Sequence, residues 1–297
     1  MRLGVVGLGK MGYNLMLNMM EKGHDVIAYD ISQASMEAAK KEGVRTVRSL
    51  EELCAGLGDG KTVWVMVPAG EAVEAVIDGL KRCMGQGDTI IDGGNSHYKD
   101  SIRRHDELLK RGIGFIDVGT SGGVEGARSG ACMMIGGEEE EFKRFEALFG
   151  DLCVKGGCAY LGRSGSGHFA KMVHNGIEYG MLQAVGEGFE IIQRSDFAID
   201  NEKLAAVWSN GSVIRGWLME LCHRAFQNSP QLEGVKGKIA SSGEGLWAVQ
   251  EALELGVPAS VITQSLLARY ASNDNDSFSA KVVSSLRREF GGHDVSK

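Results

Sequence analysis

Four polar residues in the second half of the chain share the spacing of one helical face. Lys171, His174, Asn175 and Glu178 stand at i, i+3, i+4 and i+7, and residues with this spacing lie one above another on a helix. An amine, an imidazole, an amide and a carboxylate on one face supply the donors and acceptors of general acid–base chemistry. A solvated face with a Lys–Glu pair would have the same spacing. His174 and Asn175 favour chemistry, because both are poor helix formers with no reason to lie mid-helix on a surface.

A glycine-rich motif near the N-terminus predicts a dinucleotide site. It consists of Gly7, Leu8, Gly9, Lys10, Met11 and Gly12. The motif follows an apolar segment with strand character and opens a segment with helical spacing, which is the context in which G-x-G-x-x-G binds a pyrophosphate. The first glycine permits a tight turn, the second lets the backbone approach the pyrophosphate, and the third lets the helix pack on the strand. A glycine turn without a ligand is the alternative.

The second predicted strand ends at Asp30, eighteen residues past Gly12. A carboxylate at this position accepts hydrogen bonds from the ribose hydroxyls and repels a 2′-phosphate. The residues that follow it are Ile31, Ser32 and Gln33, so no arginine stands there to pair with such a phosphate. We therefore expect NAD to be the cofactor, with NADP disfavoured.

Two more segments follow predicted strands, and ligands of α/β sheets bind outside the carboxyl ends of the strands. Val67, Pro68 and Ala69 come after a buried strand and are expected beside the cofactor, although a plain strand exit would look the same. Asn95 follows a second strand that ends at Asp92. We expect its amide to hydrogen-bond either a substrate hydroxyl or the nicotinamide amide.

A third loop, Ser121, Gly122 and Gly123, also follows a predicted strand. Consecutive backbone N–H groups in such a turn form a concave site for an anion. The sequence therefore predicts a site for a substrate carboxylate here, with a plain loop as the alternative.

Strands and helices alternate as far as Gly162, and the central strands are nearly continuous apolar runs. This alternation predicts an α/β, Rossmann-like domain with a doubly wound, mostly parallel sheet. The small polar segment that follows ends the alternation, and every later segment has helical spacing. We predict a dinucleotide-binding domain at residues 1–163 and an all-α domain at residues 164–297.

The composition argues against several classes of protein. A net charge of −7 leaves no basic face for nucleic acid. No apolar run approaches the roughly 20 residues of a membrane span, and we expect no signal peptide before the first strand. Six cysteines without a CxxC pair or a zinc-ligand spacing are expected to be free thiols. A cytoplasmic location is the resulting expectation.

Together these motifs resemble the β-hydroxyacid dehydrogenase superfamily and, within it, the 6-phosphogluconate dehydrogenase family. The resembling segments span almost the whole chain, and HNGIEY at residues 174–179 is the discriminating one. They are GLGKMG (7–12), DGGNS (92–96), GTSGGVEGA (119–127), KMVHNGIEYG (171–180), GEGLWAVQEALELGVP (243–258) leading to Arg269, and RREFGGH (287–293). Two alternatives stay open: a hydroxyisobutyrate-type dehydrogenase without decarboxylation, and a non-catalytic NAD-binding sensor.

The resemblance implies oxidative decarboxylation of 6-phosphogluconate with NAD, a step of the pentose phosphate pathway. Lys171 would take the proton of the C3 hydroxyl, for which its pKa must fall from about 10.4 toward neutrality by desolvation. Glu178 would protonate C1 of the enediol that remains after CO₂ leaves. No metal is implied, because a β-keto acid loses CO₂ once its ketone is polarised.

The resemblance also assigns substrate contacts, and it assigns dimerisation to the helical domain. The contacts are Asn95 and Asn175 for the C3 hydroxyl, Ser121, Gly122, Gly123 and His174 for the carboxylate, and Tyr179 and Arg269 for the phosphate. Arg287 and His293 would complete the phosphate pocket of a neighbouring subunit, which implies a homodimer or a dimer of dimers. The family's K-G-T-G-K-W differs here, because Ser242 and Glu244 replace its lysine and threonine.

Overall fold

A computed structural model describes residues 1–291 and Asp294 of the chain. The chain divides into two compact units, Met1–His174 and Asn175–Lys297. The division falls inside one long helix, Ser166–Arg194. The domain boundary predicted after residue 163 lies just before this helix. The division of the chain into two domains at that residue stays a prediction.

The first unit contains one eight-stranded sheet. Its strands are β1 (Arg2–Val6), β2 (Asp25–Tyr29), β3 (Arg45–Thr46), β4 (Thr62–Val65), β5 (Thr89–Asp92), β6 (Gly114–Ser121), β7 (Ala131–Gly137) and β8 (Cys153–Gly162). They lie in the order β3-β2-β1-β4-β5-β6-β7-β8, with β6 and β7 antiparallel and the other pairs parallel. The order of the first six strands is that of the dinucleotide-binding fold. The predicted doubly wound, mostly parallel sheet is confirmed.

The helices of this unit connect the strands. They are α1 (Lys10–Glu21), α2 (Gln33–Lys41), α3 (Leu50–Leu57), α4 (Glu71–Leu80), α5 (Tyr98–Leu109), α6 (Gly123–Ser129), α7 (Glu139–Leu152) and the first turns of α8 (Ser166–Arg194). Alternate residues of the central strands enter two separate cores. Trp64 and Ile91 lie in the core that includes α1 and α7, whereas Val63, Val65 and Ile90 lie in the core that includes α3, α4 and α5. Because both faces of the sheet are buried, these strands are uninterrupted apolar runs in the sequence.

The described residues of the second unit form helices joined by loops, with no strand, as predicted. After α8 it contains α9 (Asn201–Ser209), α10 (Trp217–Asn228), α11 (Glu244–Glu254), α12 (Ser260–Ser272) and α13 (Phe278–Gly291). Phe189, Met219 and Phe226 form its small core cluster with Ala205. Within residues 1–291, no helix combines the length and the hydropathy that crossing a bilayer requires.

The structure contains four elements that the sequence patterns do not predict: α2, β3, α6 and β8. In α2 only Met36 and Ala39 are buried, so its apolar period is too short to detect. Residues along β8 are mostly exposed or half-buried and lack the alternation that identifies a strand. Helix α10 begins at Trp217, because the preceding Gly216 has a φ of 147°, which a helix does not accommodate.

The expectation of six free thiols is wrong for one pair. Cys54 in α3 and Cys83 after α4 form a disulfide, with Cα atoms 6.1 Å apart. Their helices pack against each other on one face of the sheet, which brings two residues that are 29 positions apart within disulfide reach.

Burial and the neighbouring Cys158 thiol raise the pKa of Cys153 to about 12, so this free thiol stays protonated at neutral pH.

A buried charge network supports the turn that follows β5. Arg104 of α5 is 1% exposed, and its Nη1 donates to Asp92 Oδ2 at 3.2 Å and to Ser96 Oγ at 3.0 Å. Its Nε and Nη2 donate to Glu74 Oε1 at 3.1 and 2.8 Å. The Asp92 carboxylate also accepts hydrogen bonds from Gly94 N–H at 3.2 Å and from Ser96 Oγ–H at 2.7 Å. Both carboxylate oxygens of the fully buried Asp92 thus accept hydrogen bonds. The same network fixes the turn at residues 93–96 to α5.

Replacing Arg104 with methionine is expected to lower the free energy of unfolding by about 3–5 kcal/mol, because the buried Asp92 carboxylate loses its cationic partner. Arg103 offers a matched control, since it lies on the same helix and also pairs with Glu74, but its side chain is 44% exposed. Arg103→Met is expected to cost less than about 1 kcal/mol. Urea unfolding measures both variants, and equal losses would contradict the importance given to burial.

Candidate active site

The glycine motif joins β1 to α1, and its three glycines have different surroundings. Gly7 has a φ of 96°, and a Cβ there would overlap with the carbonyl oxygen of Met66. A Cβ on Gly12 would overlap with the carbonyl oxygen of Gly7. A Cβ on Gly9 would meet no atom within 4 Å, although Gly9 caps the N-terminus of α1. Gly7 and Gly12 therefore permit close contacts between segments of the protein. Gly9 instead leaves open space at the N-terminus of α1, where a pyrophosphate fits.

Leu8, Lys10 and Met11 fill the remaining positions of the motif. Leu8 is buried, Lys10 is exposed and Met11 is half-buried. The Leu8 N–H donates to Asp30 Oδ2 at 2.5 Å, and the Ser32 N–H donates to Asp30 Oδ1 at 2.6 Å. The Asp30 carboxylate therefore joins the motif to the end of β2. Each carboxylate oxygen has a second lone pair, so both oxygens keep the capacity to accept from a ribose hydroxyl.

The turns after β4 and β5 lie next to the same motif. A Cβ on Gly7 would lie 2.9 Å from Val67 Cγ1, and a Cβ on Gly94 would lie 3.0 Å from the Val67 carbonyl oxygen. Val67 thus stands between the glycine motif and the turn that carries Asn95. The residues beside it, Pro68 and Ala69, are exposed, and so is Asn95. The structure brings these residues to one edge of the sheet, and their contacts with a cofactor stay predictions.

The turn at the end of β6 is the segment that was predicted to bind an anion. Gly122 and Gly123 have φ values of 110° and 60°, and α6 begins at Gly123. The preceding residue, Ser121, is joined by a hydrogen bond of 3.2 Å between its Oγ and His174 Nε2. Ser121 is the last residue of β6 and His174 lies on α8. The structure therefore brings together two side chains, 53 positions apart, that were both expected to hold a carboxylate.

Helix α8 carries the polar stripe, and the stripe is not solvated. Lys171 is 7% exposed and Asn175 is 8% exposed, whereas His174 and Glu178 are half-buried. The interpretation of the stripe as a solvated face is therefore wrong. A Cβ on Gly119 of β6 would overlap with the Cβ of Lys171, so the stem of this lysine lies directly against the strand backbone. Burial against a strand is an environment in which an amine can serve as a base.

Further along α8, within the second unit, lies a group of residues predicted to bind phosphate. The Arg269 guanidinium lies 3.3 Å from the centre of the Tyr179 ring, and its Nη1 donates to the Ala240 carbonyl oxygen at 2.9 Å. The Tyr179 hydroxyl is buried and has no hydrogen-bond partner among the described residues. Gly245 in α11 permits close contact with the Tyr179 ring. A cation beside an unsatisfied buried donor suits an anionic ligand.

Glu244, where the resembling family has threonine, is 3% exposed and lies in the first turn of α11. Its Oε2 accepts a hydrogen bond of 2.6 Å from Ser242 Oγ–H. Ser242 and Glu244, the two residues that differ from the pattern of the resembling family, are thus hydrogen-bonded to each other. Arg287 is exposed on α13, and His293 lies outside the described residues.

Asp117 and Arg104 are among the buried charged residues that escaped prediction from sequence. Asp117 lies in the middle of β6 between core residues, and an acid within an apolar run was the available signal. Arg104 gave no signal, because Arg103-Arg104 in an amphipathic helix has the pattern of a solvated face. Both support residues of the candidate site without belonging to it.

Family comparison identifies the chain. A model described as the NAD binding domain of 6-phosphogluconate dehydrogenase matches residues 2–162, and the model of the C-terminal domain of 6-phosphogluconate dehydrogenase matches residues 167–289. The chain belongs to the 6-phosphogluconate dehydrogenase family. The first unit therefore contains an NAD-binding domain, and the family is one of oxidoreductases. Because both models come from this family, the hydroxyisobutyrate-type alternative loses its support.

Relatives resemble the chain over its full length. YqeC of Bacillus subtilis, provisionally named a 6-phosphogluconate dehydrogenase, is 48% identical over 100% of both chains. The NAD(+)-dependent, decarboxylating 6-phosphogluconate dehydrogenase of Haloferax volcanii is 42% identical over 100% of this chain and 99% of its own. The 6-phosphogluconate dehydrogenase of Plasmodium falciparum, solved in its apo form and with NADP+ or substrate, gives a TM-score of 0.83 at 29% identity. That comparison covers 100% of this chain, which spans 66% of the Plasmodium chain.

Proposed function

We propose that the protein oxidises and decarboxylates 6-phospho-D-gluconate to ribulose 5-phosphate, with NAD as the hydride acceptor. The observation that carries the proposal is the burial of Lys171 against β6, one helical turn from the Ser121–His174 hydrogen bond. Membership of the family supports the same substrate. We also propose a cytoplasmic location, because sugar phosphates and NAD are both available there.

Lys171 is the proposed general base. A buried amine beside the reacting hydroxyl is placed to act as a base in its neutral form. The neutral amine takes the proton of the C3 hydroxyl, which Asn95 and Asn175 orient. NAD bound at the glycine motif accepts the hydride that leaves C3.

The oxidised substrate is a β-keto acid, and its C1 carboxylate leaves as CO₂. Lys171, now protonated, donates a hydrogen bond to the ketone oxygen and stabilises the negative charge that develops there. Glu178, seven positions along α8, gives a proton to C1 of the resulting enediolate, the former C2 of the substrate, and the ketone of ribulose 5-phosphate re-forms. The proposed reaction needs no metal ion, because the lysine ammonium polarises the ketone.

The two ends of the substrate have separate proposed sites. The carboxylate lies at the Ser121–Gly123 turn, where backbone N–H groups, the Ser121 hydroxyl and the His174 imidazole are available as donors. The phosphate lies at Tyr179 and Arg269, where it satisfies the buried hydroxyl. The Glu244 carboxylate is paired with Ser242 and takes no part in holding the phosphate.

The first test is turnover of 6-phosphogluconate with NAD, followed through NADH absorbance and release of CO₂ and ribulose 5-phosphate. Lys171→Met is expected to lower kcat by at least about 10²-fold, which is the usual contribution of a general base. Its affinity for NAD, measured by calorimetry, should not change, because the glycine motif is intact.

Lys155→Met serves as the control, since Lys155 is an exposed lysine on β8. It should retain the activity of the original protein. Absence of CO₂, or full activity of Lys171→Met, would each contradict the proposed reaction.

We propose that Asp30 makes NAD the preferred cofactor, because its carboxylate repels a 2′-phosphate. The ratio of kcat/KM for NAD to that for NADP is expected to be well above one, and Asp30→Asn should lower this ratio about tenfold or more by removing the charge repulsion. Asp25→Asn is the control, since Asp25 is an exposed acid at the other end of β2 that pairs with Arg2. A ratio that Asp30→Asn leaves unchanged would show that another residue selects the cofactor.

We propose a homodimer, or a dimer of dimers, in which the C-terminal segment reaches the neighbouring subunit. Helix α13 supports this, because Phe278, Val282 and Leu286 stand at i, i+4 and i+8 and are 80%, 41% and 56% exposed. A continuous exposed apolar stripe indicates a surface that another protein covers. In this arrangement Arg287 and His293 complete the partner's phosphate site.

Light scattering at assay concentration is expected to give at least twice the mass of one chain. Leu286→Glu should reduce the mass to that of one chain and lower the activity with it, because a buried carboxylate opposes association. Ala280→Glu adds the same charge at an exposed position on the opposite face of α13 and should leave both unchanged. A monomeric, fully active protein would refute the proposal.

A further inference from the structure

Asp117 is a fully buried acid that the proposed chemistry does not use. It lies in β6 between Ile116 and Val118, and its exposed fraction is 0%. Its Oδ1 accepts hydrogen bonds from Gly165 N–H at 2.7 Å and from Ser164 Oγ–H at 3.4 Å. Its Oδ2 accepts one from His168 N–H at 2.9 Å. All of these donors lie at the beginning of α8.

The first N–H groups of any helix lack partners within the helix and carry partial positive charge. A side chain just before the helix usually satisfies them, as Ser32 does for α2 and Asp200 does for α9. In α8 the carboxylate comes instead from a strand of the sheet. The start of α8 is therefore fixed relative to β6.

Three glycines remove the side chains that would separate α8 from the sheet. A Cβ on Gly167 would lie 2.5 Å from the carbonyl oxygens of Asp117 and Met134, and a Cβ on Gly136 would lie 2.7 Å from Gly167 N. Gly119 lies two residues after Asp117, and a Cβ on it would lie 2.4 Å from the Cβ of Lys171. Asp117 and Gly119 lie on one face of β6. The cap and the lysine contact are thus adjacent on the strand and one turn apart on the helix.

A second polar contact holds the same turn. His168 is 1% exposed, and its Nδ1 forms a hydrogen bond of 2.7 Å with Ser101 Oγ of α5. The Ser164 hydroxyl also lies 3.4 Å from the Ser101 carbonyl oxygen. These contacts hold the turn to α5, whereas the Asp117 carboxylate connects it to the strand that Lys171 touches.

We propose that Asp117 is a positioning residue for Lys171. It sets the register between α8 and β6, and thereby the place of the amine, without contacting the substrate. The inference rests on the proposed role of Lys171 as the base. Effective catalysis requires reacting groups in near-attack geometry, and a displacement of about 1 Å can cost on the order of 10²-fold in rate.

Asp117→Asn is the first test. Asparagine keeps one acceptor but turns an NH₂ group toward a backbone N–H, so the cap is lost on one side. We expect kcat to fall about 10- to 100-fold, while KM for NAD stays within about twofold, because the glycine motif lies on other strands. Asp117→Glu keeps the charge but is one methylene longer. It should retain the cap and the folded state, yet still lower kcat by displacing the start of α8.

Asp88→Asn is the matched control. Asp88 is a buried acid of the same sheet, 4% exposed, and it also accepts two backbone hydrogen bonds, from Lys61 N–H at 2.7 Å and Gly85 N–H at 2.9 Å. It precedes β5, at the edge of the sheet opposite to the glycine motif. Its variant should lower the unfolding temperature as Asp117→Asn does but should leave kcat unchanged.

The outcomes distinguish failure of Lys171 as the base from failure of Asp117 as its positioning residue. If Lys171→Met keeps its activity, the proposed base is wrong whatever Asp117→Asn does. If Lys171→Met is inactive while both Asp117 variants, assayed well below their unfolding temperatures, keep the kcat of Asp88→Asn, the positioning role is refuted and Asp117 serves stability only. If Asp117→Asn does not fold, Asp117→Glu decides between the two results.

Discussion

Direct backbone contact between α8 and the sheet is the constraint on which the position of Lys171 depends. Side chains normally separate a helix from a sheet, and they can adjust when either element shifts. Here Gly119, Gly136 and Gly167 leave no side chains between the two, and a Cβ on any of them would meet backbone atoms or the Lys171 stem. A contact of this kind has one geometry and little capacity to relax. The lysine that the proposed chemistry needs is therefore held by the least adjustable part of the fold.

The strand order explains how residues distant in sequence reach the same edge of the sheet. The glycine motif, Val67, Asn95 and Ser121 follow β1, β4, β5 and β6, which are consecutive in the sheet. Parallel strands end at a common edge, and the strand order reverses between β1 and β4, where dinucleotides bind. The antiparallel β7 then brings Gly136 beside Asp117, where α8 starts. The same topology therefore provides a place for a dinucleotide and a support for the helix with the base.

Sequence alone predicted the features that depend on local spacing. The motif at residues 7–12, the central apolar strands and the stripe on α8 each have a period or a fixed interval, and the structure contains all of them. Features that depend on tertiary burial were not predictable in this way. Arg103 and Arg104 are adjacent and alike in sequence, yet one is 44% exposed and the other 1%. Arg104 lies on the face of α5 that packs against the sheet, and the other buried residues of that face include Ser101 and His105, so the face is too polar to be recognised as buried from sequence. Strand β8 and helix α6 were missed for a related reason, because one lies at an exposed edge and the other is short and rich in glycine.

Buried acids in this sheet share one structural task, and their functional importance depends on what they hold. Asp88, Asp92 and Asp117 are each at most 4% exposed, and each accepts backbone hydrogen bonds where the chain enters or leaves a regular element. Burying a carboxylate is unfavourable unless several donors satisfy it, so each one makes its surroundings rigid. Asp88 does this at the edge of the sheet where no ligand motif lies. Asp92 does it beneath the turn with Asn95, and Asp117 does it at the start of the helix with Lys171. A buried acid is thus not in itself a mark of catalysis. It becomes important to a reaction when the segment that it fixes carries a reacting group.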